Sequence, residues 1–114
     1  MVFNVCVSNT DDHLRNHGFL LADDGWHLSP AFDVNPNIEN QNMSLILGVT
    51  HSKSLKEVLD IAGYFRLEEN EAYDKMKHIQ KTIRDNWEIE SKKYNIPANE
   101  RSRMKEAFAL SYEA

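Results

Sequence analysis

Asp11, Asn16 and Asp33 are the side chains in this sequence best suited, by type and order, to do chemistry. Asn16 follows Asp11 by five positions within Asn9-Thr10-Asp11-Asp12-His13-Leu14-Arg15-Asn16, and Asp33 comes after a stretch that reads as a β-hairpin. An aspartate so placed accepts the proton of an attacking hydroxyl, while an asparagine and a second aspartate give magnesium hard oxygen ligands. Phosphoryl transfer is the reaction class with that requirement, because it depends on positioning and charge neutralisation. The bare spacing D-x-x-x-x-N also arises by chance, and the two residues are then ordinary turn and cap formers. The order of base, asparagine, hairpin and aspartate therefore carries more than any one residue.

The neighbours have plainer readings. Asp12 is expected to be a loop residue rather than a second base. His13 and His17 stand four apart, the spacing that sets two imidazoles on one helical face for zinc, but the polar surroundings and Gly18 predict a loop there. A metal hydrolase is thus the lesser reading, and His13 is expected to brace the loop through its ring nitrogens. Arg15 is placed either to meet a transferred phosphate or to pair with a carboxylate. His27, His51 and His78 have no constellation around them.

The elements that must position these residues are short at first and then helical. Met1 to Val7 reads as the end of a helix, with a strand as the alternative for so short a valine-rich run. Ser8 to Asn16 is rich in turn formers. Phe19-Leu20-Leu21-Ala22 and Trp26-His27-Leu28 flank Asp23-Asp24-Gly25, where an Asp-Gly pair is expected to supply the positive φ of a tight hairpin. That ribbon would hold Asn16 at one end and present Asp33 beyond the other, in a segment stiffened by Pro30 and Pro36. The asparagine-rich run Asn35 to Asn42 predicts a loop, and Met43 to Leu47 predicts a short extended segment ended by Gly48.

Ser54-Leu55-Lys56-Glu57 has the form of a capping box before a helix that buries Leu55, Val58, Leu59 and Ala62. Ala72, Met76, Ile79, Ile83 and Trp87 recur at helical intervals and predict a long helix from Glu69 to Lys92. Its face with Lys75, Lys77, Lys81 and Arg84 reads as solvated. After Asn95-Ile96-Pro97, a last helix from Ala98 to Ser111 is expected to turn Met104, Ala107 and Phe108 inward. The fold class is mainly α with a small β-hairpin.

The words around the three site residues are more specific. Val7-Ser8-Asn9-Thr10-Asp11-Asp12-His13-Leu14-Arg15-Asn16-His17-Gly18-Phe19-Leu20-Leu21, with Gly25-Trp26-His27-Leu28-Ser29-Pro30-Ala31-Phe32-Asp33-Val34-Asn35-Pro36, resembles the HipA-like serine/threonine kinases, toxins of bacterial toxin-antitoxin pairs. The resemblance is to the C-terminal lobe, a partial protein-kinase-like lobe. It implies that Asp11, in a T-D-x-H-x-x-N word, is the base and Asn16 the first magnesium ligand. Phe32-Asp33-Val34 matches the family's F/Y-D-V/I word, which implies that Asp33 is the second. Met1 to Val7 would then end a core helix.

The same resemblance implies Mg2+ and ATP as cofactors of the intact family, held weakly or not at all by this fragment, and a protein substrate. Gly18, Gly25, Gly48 and Gly63 are scattered, so no glycine-rich phosphate loop is present, and Met1 stands only ten residues before Asp11. The expectation is a single domain over 1–114, with the catalytic loop, hairpin and metal aspartate in 1–36 and a helical region over 54–112. It lacks the ATP-binding N-terminal lobe and is inactive alone. The other expectation is a non-catalytic helical interaction module that binds an antitoxin, a separate N-lobe chain or itself through the uncovered cleft surface.

Composition narrows the setting. The chain's 114 residues, 41% hydrophobic and 27% charged, suit one core. Its mean hydropathy of −0.59 and lack of a long apolar run argue against a membrane span. With no secretory signal at Met1 to Val7, a cytoplasmic protein is expected. Asp and Glu outnumber Lys and Arg by 18 to 13, a net charge of −5, which disfavours direct nucleic-acid binding. Family members meet operator DNA through an antitoxin, so any such link is expected to be indirect. Cys6 is the one cysteine, which rules out an internal disulfide and predicts a small buried side chain.

Overall fold

The structure, a computed structural model, describes residues 1–45 and 50–114. Helix α1 spans Val2–Cys6, strand β1 Phe19–Ala22 and strand β2 Gly25–Leu28. Helices α2 (Leu55–Asp60), α3 (Glu69–Lys93) and α4 (Ala98–Met104) follow, with 3-10 turns at Leu14–Asn16, Ala62–Phe65 and Lys105–Tyr112. Among the described residues the fold is mostly helical with one antiparallel ribbon.

Five residues of helix are too few to persist alone. α1 holds because Val5, Cys6 and the following Val7 lie in the core against Met43, Leu55, Val58, Met76 and Ile83. The thiol of Cys6 has its pKa raised from 9.0 to about 11, chiefly by burial.

Ser54 caps α2, its Oγ accepting from Glu57 N at 3.2 Å. The Glu57 carboxylate accepts from Thr50 N at 3.1 Å and Thr50 Oγ1 at 2.8 Å, which ties the preceding chain to the helix. In α3, Ala72, Met76, Gln80, Ile83 and Trp87 form the buried stripe, with acidic Glu69 and Glu71 in the first turn and Lys92 and Lys93 in the last. The helix stops in a Schellman motif. Asn95 takes φ 58°, its N–H meets Lys92 O, and Ile96 N–H meets Ser91 O, both at 2.9 Å.

Two helical expectations change. The last helix is α-helical only to Met104 and continues as a 3-10 turn. Side chains from elsewhere take the carbonyls of that turn: Ser8 Oγ reaches Ala107 O at 2.8 Å, Gln80 Nε2 reaches Leu110 O at 2.7 Å, and Arg84 reaches Ser111 O at 3.4 Å. The basic face of α3 is also not purely solvated, because Arg84 and Lys77, which donates to Glu113 O at 3.4 Å, hold the C-terminal turn.

β1 and β2 pair as Phe19↔Leu28, Leu20↔His27, Leu21↔Trp26 and Ala22↔Gly25. Phe19, Leu21, Trp26 and Leu28 therefore share one face, and each is 64–69% exposed. The loop is Asp23-Asp24, and only Gly25 has positive φ, at 126°, where an Asp-Gly pair was expected to supply it. Part of the extended segment expected over Met43 to Leu47, with Gly48, lies outside the described residues. Met43 itself is buried, and Asn42 bridges Ser52.

Candidate functional site

The loop after α1 runs through the interior although it is polar. Ser8, Asn9, Thr10 and Asp12 are each 2% exposed, so their backbone groups must be paired. The Ser8 carbonyl accepts from Thr10 N at 3.0 Å and Asn37 N at 2.9 Å, and the Thr10 carbonyl accepts from Ser44 N at 2.9 Å. Ser8 sits at φ 54°, and its hydroxyl meets both the Ala107 carbonyl and Lys53 Nζ, the latter at 3.2 Å. The loop is thus stitched to the chain after Asp33 on one side and to the C-terminal turn on the other.

Asp11 emerges from this buried run with its carboxylate exposed. The 3-10 turn Leu14–Asn16 then folds the chain back, and Asn16 Nδ2 donates to the Asp11 carbonyl at 3.0 Å. A carbonyl only accepts, so this bond fixes the Asn16 amide with nitrogen inward and, among the described residues, leaves Oδ1 without a hydrogen bond. A second rung runs beside it, where His17 Nε2 and Asp12 Oδ1 lie 2.6 Å apart with the Asp12 side chain buried. The bracing expected of His13 is therefore done by His17. His13 Nε2 stands 3.7 Å from Asp11 Oδ1, and its Nδ1 is buried without a partner among the described residues, as is Asp12 Oδ2.

Asp33 takes φ 53°. Its Oδ1 accepts from Asn35 Nδ2 at 2.8 Å, and Asn35 N in turn donates to Asn9 Oδ1 at 3.4 Å. A relay through Asn35 and Asn9 thus connects Asp33 to the loop just before Asp11. Among the described residues no hydrogen bond joins Asp33 directly to Asp11 or Asn16. Asp11 and Asn35 line one polar cavity of about 390 Å3, while Asn16 and His17 line another of about 230 Å3 beside the start of the ribbon.

For zinc, the geometry is poor. Residues 14–16 form a 3-10 turn, His17 is engaged by Asp12, and no group of three His, Cys, Asp or Glu side chains suited to a metal occurs among the described residues. For magnesium, the donor types fit, although Asp33 lines neither of these two cavities and Asn16 only the smaller. Asn16 Oδ1 and the Asp33 carboxylate are hard oxygens, and magnesium takes few protein ligands when phosphates and water supply the rest.

Sequence reasoning missed the Asp12–His17 pair and the role of Asn35. The first had a signal, since Asp12 and His17 repeat the five-residue interval of Asp11 and Asn16. Asn35 had none, because its partners come from tertiary folding.

A helical lobe with one ribbon and a buried, doubly cross-linked polar loop is the class of protein defined by this fold and site. The sequence profile of the HipA-like C-terminal domain matches residues 1–87, and the chain belongs to that family. Neither the comparison with curated proteins nor that with solved structures finds a match.

Proposed function

We propose that this chain supplies the catalytic-loop and magnesium-ligand part of a HipA-like serine/threonine protein kinase of a toxin-antitoxin system. Asp11 receives the proton of a serine or threonine hydroxyl of a protein substrate. Asn16 Oδ1 and the Asp33 carboxylate hold magnesium, which when bound with ATP neutralises the phosphate oxygens. Exposed Arg15 stands between base and ligand as a partner for phosphate. The observation that supports this best is the bond from Asn16 Nδ2 to the Asp11 carbonyl at 3.0 Å, since it ties ligand to base and turns the ligating oxygen outward.

The nucleotide clamp comes from residues outside this sequence, whose four glycines form no phosphate loop. These 114 residues, one domain, therefore transfer no phosphate by themselves, because half of the positioning is lacking. The ribbon face of Phe19, Leu21, Trp26 and Leu28 is the surface for an ATP-binding lobe, since exposed apolar patches of this kind drive association. Without that lobe, self-association uses the same face. An antitoxin is the other partner, and with a net charge of −5 any nucleic-acid link runs through it. No helix among the described residues is long and apolar enough to cross a membrane, and the setting is the cytoplasm.

The test is phosphotransfer to a serine-bearing protein with ATP and magnesium, with the chain alone and with an ATP-binding lobe added. The expected result is turnover only in the mixture, abolished by Asp11→Asn. Absence of turnover in the mixture would favour the second reading, a non-catalytic helical interaction module built around the exposed ribbon, and turnover that survives Asp11→Asn would take the role of base from Asp11.

A further inference from the structure

The geometry points to the polar cavity beside Asp11 as the seat of the acceptor segment's main chain, with Asn37 and Asn40 donating to its carbonyl oxygens. This deepens the kinase reading above and rests on it. The cavity, about 390 Å3, lies between Thr10 and Asp11 of the catalytic loop and Asn35, Asn37, Asn40 and Ser44 of the chain after Asp33. Hydroxyls, amides and the ring of Pro36 make its wall, and Asp11 brings the one charge among the described lining residues.

The amides are not equivalent. Asn37 Oδ1 accepts from the backbone N–H of Glu39 at 2.8 Å and of Asn40 at 3.2 Å, and Asn40 Oδ1 accepts from Asn42 N at 3.0 Å. Both oxygens are used to hold the loop, so among the described residues the unengaged group on each side chain is the NH2. Asn35 does the reverse, giving its NH2 to Asp33. The cavity consequently offers two amide donors and, at its edge, one proton acceptor.

An extended peptide bearing serine or threonine has the matching groups, a hydroxyl for Asp11 and main-chain carbonyls for the donors. A phosphate or acidic side chain fits worse, because the described lining has no cation and Asp11 repels a second negative charge. Ser44 fixes the distance between donors and base, since its N–H and its hydroxyl both bond the Thr10 carbonyl, at 2.9 and 2.8 Å. Preorganisation of this kind is what a specificity site requires.

The test is a nitrogen-15 NMR titration of the whole chain with a neutral peptide containing one serine, and with its alanine and phosphoserine versions. Asn37→Asp and Asn40→Asp, made together, keep an oxygen for each turn and remove both donors. High salt screens the added carboxylates, and thermal melting checks that the fold is retained.

The serine peptide is expected to shift the Asn37 and Asn40 side-chain NH2 resonances. It should bind the double variant about tenfold more weakly and bind the wild type more tightly than either other peptide does. Serine-peptide binding that weakens in Asp11→Asn but not in the double variant overturns the subsite and leaves the kinase reading standing. Peptide binding unchanged in the double variant overturns the subsite whichever peptide is used, while absence of phosphotransfer from the chain mixed with an ATP-binding lobe overturns the kinase reading. Absence of shifts at Asn37 and Asn40 up to millimolar peptide also overturns the subsite.

Discussion

Trp87 and Phe108 stack with ring centroids 4.6 Å apart and 13° between their planes, and Trp87 Nε1 donates to the Tyr112 hydroxyl at 3.0 Å. Trp87 is also the last residue of the family match, so this contact docks the segment beyond the match onto α3. Phe108→Ala is expected to destabilise the chain by about 2–3 kcal/mol, somewhat less than a fully buried phenylalanine would cost. Equilibrium urea unfolding measures the loss, and Trp87 emission should shift to the red in the folded variant. A change under about 0.5 kcal/mol would mean that the C-terminal turn is not held by this stack.

His17 and Asp12 close the loop after α1 at 2.6 Å around a buried carboxylate. His17→Ala leaves that carboxylate without its recorded partner and should cost about 1–3 kcal/mol. Asp12→Ala combined with His17→Ala should cost less than the sum of the single changes, because the orphaned charge is gone. Additive losses in the double-mutant cycle would show that the two side chains are not coupled.

Cys6 is 0% exposed, and burial holds its thiol at a pKa of about 11 instead of 9.0. At pH 8 the thiolate population is then lower by about a hundredfold, and alkylation of the native chain should be slowed at least that much. The native state keeps the proton more tightly, so the stabilisation is full below pH 9 and fades as pH rises through 11. A maleimide time course with and without urea checks the first point. Reaction at the same rate in both would place Cys6 at the surface.

What the sequence disclosed, and what it did not, follows the range of the forces involved. The bounds of α3 were readable to within a residue because its stop is local: an asparagine in the left-handed region, then Pro97. The ribbon was readable from two apolar runs around Asp-Asp-Gly, although the backbone detail differed, with positive φ at Gly25 only. The change from α-helix to 3-10 turn at Lys105 was hidden, since it accompanies bonds from Ser8, Gln80 and Arg84 that are distant in sequence. Gln80 has no apolar signal in the sequence, yet it is 2% exposed and its amide also reaches Glu113 O at 3.1 Å.

Around the candidate residues, the local words were legible but not the tertiary contacts that hold them. Asp11, Asn16 and Asp33 stand out by order and neighbours, whereas the Asn9–Asn35–Asp33 relay exists only once two loops are folded together. Asn35→Ala should leave the melting temperature within about 2 °C, as an exposed side chain implies, while releasing the Asp33 carboxylate from its fixed rotamer. A loss of order in the Asp33 resonances, seen by NMR relaxation, checks this. An unchanged Asp33 would mean that the backbone alone holds it.

The most direct measurement on the central claim uses Mn2+ in place of Mg2+ and reads paramagnetic broadening in the whole chain. The account predicts that Asn16 and Asp33 broaden together with one midpoint, and that Asn16→Ala or Asp33→Ala removes the effect at the other residue. Broadening of only one of them, or broadening indifferent to both substitutions, would contradict it.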